Sequence, residues 1–152
     1  MTTRSRHDLD LLEQYIRPQA ITQAGGAIVG GDVDTDGFDS VQFAVQYGDI
    51  DEMGASPVGT ANVTVTVETA ADDGTGSPGT YAAAEDYEVD GQSVDSSGEF
   101  SVQTDLQAST FAVITKNRFV RITLTPTGLT NGGEIAVVSQ KSHAHMTPVA
   151  NT

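Results

Sequence analysis

The chain has no cysteine and no tryptophan, and its 98-residue block from Pro18 to Thr115 contains no Lys or Arg. The absence of cysteine excludes disulfides and thiolate metal ligands, so the fold depends on noncovalent contacts. Aromatic residues make up 6% of the chain, which leaves the core mainly to aliphatic side chains. No apolar run approaches the roughly 18 residues that span a bilayer, and the first residues lack the apolar segment of a secretion signal. We therefore expect a soluble protein without a cleaved signal.

Acidic residues are concentrated where basic residues are missing. The block from Pro18 to Thr115 has 17 Asp and Glu, and the whole chain of 152 residues has a formal net charge of −14. The seven basic side chains all lie outside the block: Arg4, Arg6, Arg17, Lys116, Arg118, Arg121 and Lys141. A surface this acidic repels phosphates, which argues against DNA, RNA and membrane partners and favours proteins. Solubility alone would also explain the acidity.

Alternating apolar and polar residues predict half-buried β-strands in a single domain. The alternation is clearest in Ser40–Tyr47, Asn62–Thr69 and Arg118–Thr125, and shorter strands are predicted at Glu99–Thr104, Ser109–Ile114 and Glu134–Ser139. The runs on either side of Thr115-Lys116-Asn117 are typical of a hairpin. Because short strands alternate with Gly-rich turns and no long helix follows, we predict an all-β fold, an antiparallel β-sandwich or jelly roll.

A short amino-terminal arm precedes the strands. Leu9, Leu12 and Ile16 have helical spacing, with Leu11 and Tyr15 on an adjoining stripe, and Pro18 disfavours a helix beyond Arg17. These positions predict a short helix over His7–Ile16. Because about ten residues form a marginal helix in water, the arm either packs on its own domain, orders against a neighbouring subunit or frays. The predicted organisation is an arm at 1–24, a β-sandwich at 25–142 and a tail at 143–152.

The clearest candidate for metal chemistry is the run Asp32-Val33-Asp34-Thr35-Asp36-Gly37, which matches the first half of a calcium loop. The twelfth position, where a bidentate Glu is required, is Phe43, so an EF-hand is excluded. Asp32, Asp34 and Asp36 remain weak candidates for an improvised cation site, and a solvated acidic turn is the favoured interpretation. His143 and His145 flank Ala144 in a second candidate pair, for which spacing supplies no third ligand.

Motifs for catalysis are missing. The chain has no Gly-x-Ser-x-Gly elbow, and its Gly-rich stretch near residue 26 is not followed by the Lys of a phosphate-binding loop. Carboxylate pairs for glycoside hydrolysis usually accompany aromatic platforms, and Trp is absent. We therefore expect neither an enzyme nor a cofactor.

Several segments, taken in order, carry a resemblance to a known group of proteins. They are Arg17-Pro18-Gln19-Ala20-Ile21-Thr22 after the arm, the Gly37–Phe43 strand, the strand that runs into Glu68–Gly74, Asn117-Arg118-Phe119-Val120-Arg121-Ile122, and a His-containing tail ending near Pro148. In this order the chain resembles the small proteins encoded beside the major capsid protein of tailed bacteriophages, some of which are capsid decoration or cement proteins. The resemblance covers most of the chain, and its motifs are structural rather than chemical.

The resemblance implies a β-rich subunit, commonly a homotrimer, that binds the major capsid protein and bridges neighbouring capsomers. Such a protein would be made in the host cytoplasm and reside on the exterior of the virion. Its capsid contacts would come from the arm: the side chains expected to take part are Arg4, Arg6, Leu9, Leu12, Tyr15, Ile16 and Arg17. The acidic block would then face the solvent.

Three other functions remain open at this point. A tail or head-fibre protein with a host-adhesion role would expose aromatic residues in its loops, and Tyr81 and Tyr87 are the ones available. A small β-sandwich hydrolase would depend on one particular carboxylate, which the sequence does not nominate. A calcium-binding adhesion module would lose thermal stability on chelation.

Overall fold

The computed structural model describes residues 11–54 and 56–144, and for 11, 12, 143 and 144 it describes the backbone alone. The described residues form one short 3-10 helix, Asp86–Glu88, and these strands: β1 Leu11–Ile21, β2 Ile28–Val29, β3 Val33–Asp34, β4 Phe38–Ile50, β5 Asn62–Ala70, β6 Ala82–Ala83, β7 Val89–Asp90, β8 Glu99–Val102, β9 Gln107–Val113, β10 Phe119–Thr127 and β11 Gly133–Ala144. Every pairing between these strands is antiparallel. The predicted all-β class is confirmed.

The strands form two sheets that pack as a sandwich. Sheet A has the order β1-β11-β4-β9-β7, and sheet B has the order β2-β10-β5-β6, with β3 also on β10 and β8 also on β5. Aromatic rings connect the layers: Phe111 of sheet A stacks on Phe43 of the same sheet at 5.5 Å and meets Phe100 of sheet B edge-on at 5.2 Å. The rest of the core is mainly Val, Ile and Leu from the inward faces, as the low aromatic content predicts.

The strongest strand predictions are confirmed in position and in facing. Buried and more exposed residues alternate along β4, β5 and β10, so that Val41, Val65 and Ile122 are fully buried. The weaker predictions at 99–104, 109–114 and 134–139 correspond to β8, β9 and β11. Alternation was sufficient here because each of these strands has one face on the core and one face outside.

The predicted hairpin between residues 109–114 and 118–125 is wrong. β9 pairs with β4 and β7 in sheet A, whereas β10 pairs with β5 in sheet B, so the segment between them crosses from one layer to the other. Polar contacts hold this crossing in place: the Ile114 amide donates to the Glu88 carbonyl at 2.8 Å, and the Asn117 side chain donates to Thr69 Oγ1 at 2.8 Å. Alternation reports which face of a strand is buried and not which sheet it joins.

The predicted helix over His7–Ile16 is also wrong where the structure describes it, because β1 is an 11-residue strand paired along β11. The register shifts between Gln14 and Ile16 and again between Ile16 and Gln19. Such bulges place adjacent residues on the same side, so Tyr15 and Ile16 both contact the interior and imitate a helical stripe. The arm therefore does not end at residue 24 as a separate unit, and sheet A extends to Ala144. Residues 7–10 lie outside the described part.

Candidate interaction surfaces

Arg118 gathers the carboxylates of the sequence that resembles a calcium loop. Its Nε and Nη2 donate to the two oxygens of Asp34 at 2.9 and 2.7 Å, and its Nη1 donates to Asp72 at 2.6 Å. Asp36 lies 3.9 Å away from Nη2. We call these four residues the Arg118 cluster. The hydrogen bonds from Arg118 lower the pKa of Asp34, and the same contacts raise the pKa of Arg118.

Asp32, the first residue of the same loop, has a different partner. It accepts a hydrogen bond from the Tyr81 hydroxyl at 2.6 Å, and the Tyr81 ring lies 3.9 Å from Arg121 Cζ. Arg121 in turn donates to Glu68 at 2.8 Å, the residue opposite it on β5. The three nominated aspartates therefore do not converge on one point, and Asp34 is bound to a guanidinium group. Among the described residues, no group of three or more His, Asp or Glu is arranged to hold a metal ion.

Tyr15 of β1, in sheet A, connects the two sheets through hydrogen bonds of its hydroxyl group. Its hydroxyl donates to the Gly31 carbonyl at 2.5 Å and accepts from the buried Ile122 amide at 3.1 Å. The phenol thus fills a gap between β2 and β3, where the chain leaves the ladder on β10. Its ring meets Phe43 edge-on at 5.2 Å. Burial raises the pKa of Tyr15 to about 12.

The arm residues nominated as partner contacts have several outcomes. Ile16 is 4% exposed within the core, so Ile16 and Tyr15 serve their own domain, one of the alternatives that the sequence left open. Arg17 is exposed on the edge strand β1. The side chain of Leu12 is not described, and Arg4, Arg6 and Leu9, together with His145 of the tail, lie outside the described residues.

One end of the sandwich, which we call the upper end, brings together the beginning of β1 and the end of β11. Leu11 is paired with Lys141 there, and the Lys141 ammonium donates to the Asp34 carbonyl at 3.2 Å. The exposed Lys116 belongs to the crossing segment at this same end. A shallow cleft of about 320 Å³ lies between residues 35–39 and residues 115–118. The segments before residue 11 and after residue 144 both connect to the fold at this end.

The outer face of sheet A is free of charge across its three long central strands. Its outward residues, identified by their alternation with buried neighbours, are Ser40, Gln42, Ala44 and Gln46 of β4, Ala108, Thr110 and Ala112 of β9, and Ala136, Val138, Gln140 and Ser142 of β11. We call this set the neutral face. Charged residues border it, with Asp90 beside Ala112 on β7 and Glu134 at the beginning of β11. Sequence reasoning missed this face because the pattern does not show that β11, β4 and β9 are neighbours.

The described residues contain no helix that is long and apolar enough to cross a membrane. No protein-family model matches the chain, and no curated protein matches it. A solved structure described as belonging to Bacillus endospore appendages, a family of disulfide-linked pili, aligns over 95% of this chain and 98% of its own. The TM-score is 0.42 and 12% of the residues are identical, so this likeness carries no argument about what the chain does. The comparison with phage proteins therefore continues to depend on the sequence resemblance.

Proposed function

We propose that this chain is a structural virion protein that binds the exterior of a tailed-phage capsid and stabilises it by bridging neighbouring capsomers. The observation that carries the proposal is the polarity of the fold. Lys116, Arg118 and Lys141 lie at the upper end, and the segment that contains Arg4 and Arg6 enters β1 at the same end. Three of the five basic residues that the structure describes therefore lie at one end of a molecule with net charge −14.

The reach of the chain supports the same orientation. A fully extended chain spans at most about 3.5 Å per residue, so Arg4 is within about 25 Å of the beginning of β1. In the proposed role, a segment of that reach would extend from the bound subunit to a second capsomer. The Arg118 charge is offset by Asp34 and Asp72. The cations that would meet an acidic capsid patch are therefore Lys116 and, in the segment before β1, Arg4 and Arg6.

Binding of many copies on one shell would stabilise it without a strong single contact. Each subunit that holds two capsomers converts the second contact into an intramolecular one, with a gain set by effective concentration. The surface at the opposite end, which includes the exposed Asp49 and Asp51, would then face the solvent and keep neighbouring particles apart through repulsion.

Co-sedimentation with purified particles that lack this protein tests the proposal. The truncated variant should lack residues 1–10 only, because a longer deletion would remove Tyr15 and Ile16 from the fold. We expect the full chain to sediment with the particles, the truncated chain to bind more weakly, and the binding of the full chain to fall as salt rises. Lys116→Glu should weaken binding, whereas Thr125→Glu, at an exposed position on the outer face of sheet B, serves as its control.

Two outcomes would count against the proposal. If the full chain fails to sediment with the particles at any salt concentration, capsid binding is refuted. If the full and truncated chains bind equally, the role of the arm is refuted, and docking through another surface would have to replace it.

A tail or head-fibre protein with a host-adhesion role is the second candidate function. One observation favours it: the Tyr87 side chain is 83% exposed and is available to a receptor. Tyr81 is less suited, because its ring lies under Arg121 and its hydroxyl is bound to Asp32. Adsorption of the purified chain to host cells, lost in Tyr87→Ala, would favour this function over capsid binding.

A further inference from the structure

The charge on the described surface is distributed unevenly between the two sheets. The outer face of sheet B carries Glu68 and Arg121 as opposed neighbours and Glu99 on the adjoining strand. On β4, β9 and β11, between Ser40 and Gln46 and their partners, the outward residues of sheet A are all uncharged; Lys141 lies in this range but is paired with the buried Val41 on the inward side. The chain has 21 acidic residues, so an uncharged area of this extent needs an explanation. A binding partner that carboxylates on this face would repel supplies one.

A second copy of the chain is the partner that meets this condition most directly. Two copies with net charge −14 each repel one another, and the repulsion is least where the nearest carboxylates are farthest away. When two neutral faces meet, Asp90 and Glu134 lie at the rim, where water and salt screen them. Contact through any face that carries Glu68 or Glu99 would instead desolvate carboxylates.

The shape and size of the side chains also suit contact between two sheets. Ala44, Ala112 and Ala136 are half-buried and small, and Ala44 lies directly opposite both Val138 and Thr110. Small residues allow a facing sheet to approach to the usual packing distance of about 10 Å. Gln42 and Gln46 bring side-chain amides, which can donate and accept hydrogen bonds with the same residues of another copy.

The area of the face predicts the strength of the contact. Strands about 4.8 Å apart and residues rising about 3.4 Å each give the three strands of the neutral face an area of roughly 340 Å². A stable interface needs about 800 Å² from each partner, so this contact belongs to the weak and transient class. It would become substantial where copies are already concentrated on a surface.

We infer that the neutral face is a self-association surface, on which a second copy seats through its own neutral face. The inference goes beyond the proposed function and does not require it, since the contact is between copies of this chain alone. It specifies a symmetric contact in which the same residues of both copies meet.

Cysteine cross-linking tests the geometry, because the natural chain has no cysteine and an introduced thiol is the only one. Ala44→Cys places a thiol at the centre of the neutral face, and Thr125→Cys places one at an exposed position on the outer face of sheet B as a control. We expect oxidation to give a disulfide-linked dimer with Ala44→Cys at protein concentrations where Thr125→Cys remains mostly monomeric. Equal cross-linking of both variants, or none with either, would overturn the inference.

Introducing a charge distinguishes an effect of the neutral face on self-association from an effect of the overall net charge. Ala44→Glu and Ala44→Arg should both weaken self-association in sedimentation equilibrium, by about thirtyfold or more, because each places an unpaired charge in the contact. Thr123→Glu and Thr123→Arg on sheet B should change it in opposite directions through net charge alone. Opposite effects of the two Ala44 variants would refute the inference.

The outcome is independent of capsid binding. If particles bind every variant while none self-associates, the inference is overturned and the proposed function stands. If instead no variant sediments with particles while the dimer forms as expected, the proposed function fails and the inference stands.

Discussion

Replacing Tyr15 by Phe removes one oxygen and so isolates the connection between the two sheets. The ring can keep its edge-on contact with Phe43, so little apolar contact is lost. What disappears is the acceptor for the Ile122 amide and the donor to the Gly31 carbonyl. Ile122 is 0% exposed, and water does not readily replace the lost acceptor.

The expected cost follows from leaving a buried amide without a partner, which is about 1–3 kcal/mol. For a domain of this size that corresponds to a melting temperature lower by about 3–10 °C. Urea unfolding should show the same loss with an unchanged m value, because the surface exposed on unfolding stays the same. Tyr87→Phe is the matched control, since Tyr87 is 83% exposed and should lose less than about 0.5 kcal/mol.

The pH dependence of stability gives an independent measurement of the same contact. Burial raises the pKa of Tyr15 from 10.0 to about 12, so between these values the unfolded chain releases a proton that the folded chain retains. The free energy of unfolding therefore falls as the pH rises through this window. Tyr15→Phe should show a smaller fall than the natural chain, with Tyr47, whose pKa is also raised to about 12, accounting for part of what remains.

If Tyr15→Phe is as stable as Tyr87→Phe and keeps the natural pH dependence, the hydroxyl does not join the sheets and the reasoning is refuted. Hydrogen exchange at the Ile122 amide locates the effect, because its protection should fall more in Tyr15→Phe than that of amides in the middle of β5.

Two further predictions concern the glycines beside Tyr15 and the Arg118 cluster. Gly30→Ala should destabilise the fold by about 1–3 kcal/mol in urea unfolding, because a Cβ there would lie 2.2 Å from the Tyr15 hydroxyl oxygen. Gly31→Ala is the control and should be near neutral, because a Cβ at that position would have no neighbouring atom within 4 Å. Arg118→Gln should lower the melting temperature by leaving Asp34 and its neighbouring carboxylates without their cation, and calcium should restore part of the loss in this variant while leaving the natural chain unchanged.

Each of these has a result that would contradict it. Equal stability of the two glycine variants would mean that Tyr15 moves aside at no cost. An Arg118→Gln protein that melts at the natural temperature, or that ignores calcium while the natural chain responds to it, would mean that the guanidinium does not neutralise the acidic loop.

The sequence predicted the strands of the core well because burial on one face gives a period of two. β4 and β5 were recognisable from Val41–Tyr47 and Val63–Val67 alone. It failed for β1, where Tyr15 and Ile16 are adjacent and both contact the interior at a bulge. Tertiary contact with Phe43 and Ile122 decides the conformation there, and local spacing contains no record of these distant partners.

The candidate surfaces were predictable only in part. The scarcity of basic residues was visible in the sequence, and so was the acidic run at Asp32–Asp36. Arg118 neutralises Asp34, which lies 84 positions away in the sequence. This contact depends on the pairing of β3 with β10, and no local sequence pattern predicts that pairing. The neutral face likewise exists only because β11 and β9 flank β4. Charge composition predicted the kind of surface, and strand order determined its place.

The outer edge of β1 has a further consequence if the protein works in many copies, as the proposed function requires. An unpaired strand edge can recruit another chain into an open-ended ladder and so begin a fibre. Here Pro18 removes one backbone donor, two bulges interrupt the regular spacing of the others, and the Arg17 side chain is exposed beside them. Crowded copies can therefore lie side by side without joining through this edge into a continuous β-ladder.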